Sequence, residues 1–297
     1  MNNYDDIEDS EIRIITPSGG GDMPNDDRHG EGIPKWVVAI SVAIVLLAVV
    51  ILLLVLRKND EPVTVGNPVE IETVDPSVDG RWLDNTDRSF GAVTLAKDTI
   101  LDGVHLTLLT PMNATPELFV GHIDTSDADI VMATLAADIR RDNGKIVGAY
   151  VFKGEPLAWG LSKKGYCAII DGRMTIGVAD NSPLFEQATE TGGYFFRQYP
   201  AVRDGEVLHN NPENKSFRRA LCSIDGNAVV VWCQDKVLMD DFSQLLRKLG
   251  ADNAIYLIGG KASGWYVDPN GIRHLMGTDQ LGDQQYVNYI VFKKPKK

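Results

Sequence analysis

Apolar residues are distributed along this chain in two distinct ways. From Trp36 to Leu56 they form one run of 21 residues in which Ser41 is the polar exception. At about 1.5 Å rise per residue such a run makes a helix about 32 Å long, which matches a bilayer core of about 30 Å and predicts a transmembrane helix at 36–56. An acidic tail precedes the run and Arg57-Lys58 closes it, which fits a membrane span better than a cleaved signal. Farther along, apolar and β-branched residues come in short bursts: Ala92–Leu95, Val104–Leu109, Ile146–Phe152, Tyr166–Ile170, Met174–Val178, Tyr194–Phe196, Ala228–Trp232, Ala254–Ile258 and Tyr286–Phe292. The turn pairs Asp171-Gly172, Asp204-Gly205, Asp225-Gly226 and Asn270-Gly271 lie between them, so the spacing predicts strands joined by hairpins.

Three segments carry helical spacing instead. In Asp127–Arg141, Ile130, Ala133, Thr134, Ala137 and Arg141 share a face, and Ser126 with Asp129 resembles a capping box. A short helix is predicted over Pro183–Thr189, with Ser182 as its cap and Pro183 in the first helical position. Over Met239–Leu249 an apolar stripe of Leu238, Phe242, Leu245, Leu246 and Leu249 is flanked by Asp240 and Asp241 at the start, Arg247 and Lys248 at the end, and Gly250 as the stop. This helix between Ala228–Trp232 and Ala254–Ile258 predicts a β-α-β unit with parallel strands. Ligands gather beyond the carboxyl ends of such strands, which draws attention to Gly259-Gly260.

These elements predict an α+β fold class: one N-terminal transmembrane helix followed by a strand-rich mixed-sheet domain with about three helices. The expected plan is an acidic tail at 1–34, the membrane helix at 36–56, a linker and lead-in at 57–90, and one globular domain at 91–297. The tail is rich in Asp, Glu, Gly and Pro and cannot bury enough apolar surface to offset its chain entropy, so it is predicted to be disordered and open to docking a cytoplasmic partner. Arg28 and Lys35 before the span balance Arg57 and Lys58 after it, so the charge rule does not choose an orientation.

Charge and residue usage narrow the chemistry. The formal net charge is −12 and no face-sized run of Lys or Arg precedes the terminal Lys293-Lys294-Pro295-Lys296-Lys297, which argues against nucleic acid as a partner. The five histidines are scattered and the sequence carries no nucleotide-binding or zinc motif, so neither a metal nor a cofactor is expected. Asp124, Asp127 and Asp129 lack the turn Gly and closing Glu of a calcium loop, and a capped helix start explains them better. Cys167, Cys222 and Cys233 read as small apolar residues in strands, with a Cys222–Cys233 bridge as the alternative.

Two stretches concentrate cations. Asp138, Arg140, Arg141 and Asp142 crowd the end of the first predicted helix, a density that suits either an anion site or solvated ion pairs. Arg218 and Arg219 start a strand, where neighbouring side chains point to opposite faces, so one can face solvent while the other reaches inward to hold an anion.

The order of Gly192-Gly193-Tyr194, Ala201-Val202-Arg203-Asp204-Gly205, Arg218-Arg219-Ala220-Leu221-Cys222 and Ala254-Ile255-Tyr256-Leu257-Ile258-Gly259-Gly260 resembles the phosphodiester glycosidase family, closest to membrane-anchored bacterial members. The resemblance covers about 106 to 265 and implies a phosphodiester glycosidase-like domain. Arg218 falls on the arginine of the family's Pro-Arg-Thr-Ala strand, and Gly259 and Gly260 on glycines of its closing Asp-Gly-Gly-Gly-Ser turn. Ile258 and Lys261 depart from that turn, Ile258 standing in place of its aspartate. The resemblance implies cleavage between an anomeric carbon and a phosphate oxygen, with Asp138 and Arg218 as catalytic groups. Arg140, Arg141, Asp142, Arg219, Gly259 and Gly260 would then bind substrate.

Two functions follow. The first is a membrane-anchored glycosidase that cleaves a sugar-1-phosphodiester in an envelope or extracellular glycan. The alternative is a degenerate member that binds an envelope glycan or another protein. Either places the tail in the cytoplasm and the domain outside it, in the periplasm or on the cell surface.

Overall fold

In chain order the strands are β1 (Val93–Leu101), β2 (Val104–Met112), β3 (Thr115–Val120), β4 (Ile130–Leu135), β5 (Ala149–Phe152), β6 (Glu155–Trp159), β7 (Gly165–Ile170) and β8 (Arg173–Val178). Helix α1 (Leu184–Glu190) leads to β9 (Tyr194–Gln198), β10 (Pro200–Arg203), β11 (Glu206–Val207), β12 (Ser216–Ile224) and β13 (Asn227–Val237). Helix α2 (Met239–Lys248) precedes β14 (Ala251–Tyr256), β15 (Gly264–Val267), β16 (Arg273–Met276) and β17 (Asn288–Lys293). The structure, a computed structural model, describes residues 82–140, 142–210, 212–258, 264–277 and 287–296.

Local turn chemistry sets the register. Among the described residues, Asp102-Gly103, Lys153-Gly154, Asp171-Gly172, Asp204-Gly205 and Asp225-Gly226 each close a hairpin with both residues at positive φ. That is the type I′ conformation, whose twist matches the strands it joins. The hairpins assemble into three sheets, with strand orders β1-β2-β13-β12-β14-β10-β11, β16-β15-β4-β17-β3 and β6-β5-β9-β7-β8. Leu109, Met132, Ile169, Phe196, Leu221 and Ile290 come from all three sheets and share one buried core. Helix α2 covers the other face of the seven-stranded sheet, where Phe242, Leu245 and Leu246 meet Ala220, Val231 and Ala254. Helix α1 does the same for the third sheet through Leu184 and Ala188.

The expected fold class is corrected in three respects. Of the described residues 53% lie in strands and 9% in two helices, so the domain is mostly β and not α+β. The helix expected over Asp127–Arg141 is absent: Ile130–Leu135 is strand β4, buried along its whole length between β15 and β17. A strand covered on both faces loses its alternation, so its apolar run admitted a helical spacing. Asp124 and Asp127 instead close turns, accepting from the backbone N–H groups of Ser126 and Asp129. The sheets are not mixed, because every neighbouring pair among the described residues is antiparallel.

The remaining two helices are present: α1 starts one residue later than expected, with Pro183 in the cap position in place of Ser182, and α2 is followed by Gly250 with φ 87°. Strands β13 and β14 do run parallel to each other, but β12 lies between them and is antiparallel to both. The three cysteines are free and buried, so the alternative of a Cys222–Cys233 bridge is excluded. The membrane helix expected at 36–56, the tail 1–34 and most of the lead-in fall outside the described residues. Among those that are described, no helix is long and apolar enough to cross a membrane.

Candidate functional site

Strand β4 ends at Leu135, yet its backbone stays paired for two more residues. Ala136 N–H donates to Asn288 O at 3.1 Å. The Asn288 side chain then takes over the ladder, its Oδ1 accepting from Ala137 N–H at 2.7 Å and its Nδ2 donating to Ala137 O at 3.0 Å. Asp138 follows, and its own carbonyl accepts from Val147 N–H at 2.8 Å. The next bridge pairs Ile139 with Ile146, so Asp138 stands at the base of a short hairpin.

The Asp138 carboxylate, 35% exposed, accepts through Oδ2 from Lys163 Nζ. Lys163 itself is buried, and its Nζ also donates to Gln198 Oε1 at 2.9 Å and lies 4.7 Å from the centre of the Tyr199 ring. Gln198, at the end of β9, accepts from Tyr199 N–H at 3.1 Å and donates through Nε2 to Ala136 O at 3.3 Å. These partners fix which end of the amide faces the lysine.

Arg218 and Arg219 take opposite faces of β12, as neighbouring strand residues do. The expectation that one of the pair faces solvent is not met, since Arg218 is 1% exposed and Arg219 is fully buried. Arg218 lies on the α2 side and donates to Asn214 O at 2.8 Å, Val237 O at 3.3 Å and Tyr256 Oη at 3.4 Å. Arg219 points into the core, where its Nη1 donates to Thr134 Oγ1 at 2.7 Å. Burial pushes the Arg219 guanidinium down to about 10, with Tyr256 acting weakly against it. Burial also raises the Tyr256 phenol; Arg218 opposes that rise and the nearby Asp138 charge adds to it. Asp138, Tyr256, Arg218 and Arg219 therefore share one electrostatic neighbourhood.

The other expected site residues sit elsewhere or outside the description. Arg140 and Asp142 occupy the exposed tip of the hairpin, where Arg140 Nε lies 3.7 Å from Asp142 Oδ1, an ion pair open to water. Arg141, Gly259 and Gly260 fall outside the described residues. Ile258 packs against Leu135 and Val287, as does Ile139, so the chain beside Asp138 adjoins the position at which the resembling family carries an aspartate. Among the described residues no group of three His, Cys, Asp or Glu side chains could hold a metal ion.

Sequence reasoning missed Lys163, Gln198, Tyr256 and Asn288. Lys163 lies in Gly160-Leu161-Ser162-Lys163-Lys164-Gly165, which reads as a solvated turn. What sets Lys163 apart shows only in the folded interior. The fully buried charged side chains among the described residues are Lys163, Arg197, Arg218 and Arg219, all cations, in a chain of net charge −12. Arg197 is bonded to the carbonyl oxygens of Lys163, Ala179 and Asp180, whereas Lys163 bonds Asp138, Arg218 bonds Tyr256 and Arg219 bonds Thr134.

A family profile described as phosphodiester glycosidase matches residues 131–293, more than half of the chain and all of the elements just named. No curated protein matches the chain in sequence. Among solved structures, the chain is similar to the catalytic domain of zebrafish N-acetylglucosamine-1-phosphodiester α-N-acetylglucosaminidase, auto-inhibited by pro-peptide. The TM-score is 0.53 at 12% identity, covering 73% of this chain and 89% of that one. A hypothetical protein from Synechocystis aligns with a TM-score of 0.48 at 13% identity, covering 67% of this chain and 62% of that one.

Proposed function

The chain belongs to the phosphodiester glycosidase family, and from that premise we propose that it hydrolyses the bond between the anomeric carbon of a sugar and an oxygen of a phosphodiester in an envelope or extracellular glycan. Water adds to the anomeric carbon, the carbon–oxygen bond breaks, and a free sugar and a phosphomonoester leave. The observation that supports this reading is Asp138, a part-exposed carboxylate paired with the buried ammonium of Lys163, in the electrostatic neighbourhood that Tyr256 shares with Arg218 and Arg219.

That arrangement suits both ends of the reaction. The sugar passes through an oxocarbenium-like state, which an adjacent carboxylate stabilises or attacks with an oriented water. The departing phosphate ester is already a stable anion, so fixed positive charge assists it more than a strong acid would. The buried cations supply that charge as a field from behind the site. Arg218, held by two carbonyl oxygens and the Tyr256 hydroxyl, acts through this field and through Tyr256, not as a bidentate phosphate clamp.

Location is part of the proposal. The apolar run 36–56 supports attachment to a membrane, and a glycan substrate supports a domain outside the cytoplasm with the tail inside. A reporter active solely in the cytosol, fused after Lys297, should stay silent; its activity would reverse the topology. For the chemistry, the full chain is offered a panel of sugar-1-phosphodiesters. Release of free sugar is expected, whereas saturable binding without release would favour a glycan-binding module.

A further inference from the structure

We propose that Lys163 and Gln198 form a positioning relay that holds the Asp138 carboxylate in a single working orientation, an inference that rests on Asp138 being the reacting carboxylate. The backbone around Asp138 is already fixed. The polar groups of Ala136 and Ala137 are bonded to Asn288 and Gln198, and the carbonyl of Asp138 is bonded to Val147 N–H. What the backbone leaves undetermined is the side-chain rotamer of a carboxylate that is one-third exposed. Lys163 settles it from the buried side by bonding Oδ2. Among the described residues, Oδ1 has no protein partner and is left for the substrate.

A lysine this deeply buried is rare, because an ammonium loses its hydration there. Its protons reach Asp138 and Gln198, and Tyr199 covers it with an aromatic face. Gln198 anchors the ammonium to the main chain immediately before Asp138, since its Nε2 donates to Ala136 O. The relay therefore closes a ring from the Ala136 carbonyl through Gln198 and Lys163 to the Asp138 side chain. A ring that begins and ends on the same three-residue stretch holds the carboxylate relative to its own backbone, which is the kind of support a reacting group needs.

The other ionisable group that senses Asp138 is Tyr256, with Arg218 and Arg219 beside it, and none of these changes in the variants that test the relay. In full-length Lys163→Met, kcat for a sugar-1-phosphodiester should fall about 100-fold, the effect of a misplaced reacting group, while KM stays within about threefold. Gln198→Leu keeps the ion pair and loses its anchor, so kcat should fall about tenfold with KM again within about threefold. Wild-type kcat in either folded variant, or a KM raised in step with the fall in kcat, would overturn the relay.

A second readout needs no turnover. The Asp138 carboxyl carbon, identified as the NMR resonance missing from Asp138→Asn, should give one sharp line in wild type and a broadened or split line in Lys163→Met, as the freed carboxylate samples several rotamers. An unchanged line would also overturn the relay. A broadened or split line in a protein that releases sugar from no phosphodiester would uphold the relay and contradict the hydrolase reading instead.

Discussion

Arg219 Nη1 donates to Thr134 Oγ1 across 2.7 Å, and through this bond β12 of the seven-stranded sheet holds β4 of its neighbour shortly before Asp138. Thr134→Val keeps the shape of the side chain and removes the acceptor. The guanidinium then loses a bond it cannot replace with water, and the variant should be less stable by about 1–3 kcal/mol. Urea denaturation with an unchanged slope measures it; an unchanged midpoint would show that this bond does not hold the two sheets together.

Arg218 makes its own prediction, because its bonds run to Asn214 O, Val237 O and Tyr256 Oη and not to open solvent. Arg218→Ala should lower stability by about 2–3 kcal/mol, the scale of a hydrogen bond to a charged group, and Arg218→Lys should recover part of it. Thermal melts of the two variants give the comparison. A melting temperature unaffected by the alanine change would show that these three bonds contribute nothing to the fold.

Helix α2 is expected to behave as a core element. Phe242 is buried among Val237, Leu246 and Ala201. Phe242→Ala should therefore cost about 3–5 kcal/mol, read as a shift in denaturation midpoint. A shift below about 1 kcal/mol would mean that the helix rests on the sheet without supporting it.

What the sequence disclosed follows the same physics. The Asp-Gly turns at 171, 204 and 225 were legible because a two-residue turn with two positive φ angles admits few residue types. Helix α2 was legible because an apolar stripe, acidic start, basic end and stop glycine agree. Strand β4 was not, since burial on both faces erases the alternation that marks a strand. The site was half legible: Asp138 and the arginine pair stood out as charge density, but density cannot tell the exposed Arg140–Asp142 pair from the buried Arg218 and Arg219. Lys163 was invisible, because what distinguishes it is a fold that brings Asp138, 25 positions away along the chain, against its ammonium.

The cysteines supply an independent check on the interior. Burial raises the thiols of Cys167 and Cys222, and burial is also the largest influence raising Cys233. A protonated, buried thiol is unreactive, so native protein at pH 8 should resist a thiol-specific disulfide reagent and release three equivalents of chromophore after unfolding. Rapid reaction of one thiol in native protein would show that its strand opens.

The role of Asp138 is tested most directly by the rate at which wild type and Asp138→Asn release free sugar from the same sugar-1-phosphodiester. The asparagine keeps an oxygen that can accept from Lys163 and removes the negative charge facing the sugar. We expect the wild type to turn over and the variant to lose at least about 100-fold in kcat, with little change in KM. Turnover by Asp138→Asn within about threefold of wild type would contradict a reacting role for this carboxylate.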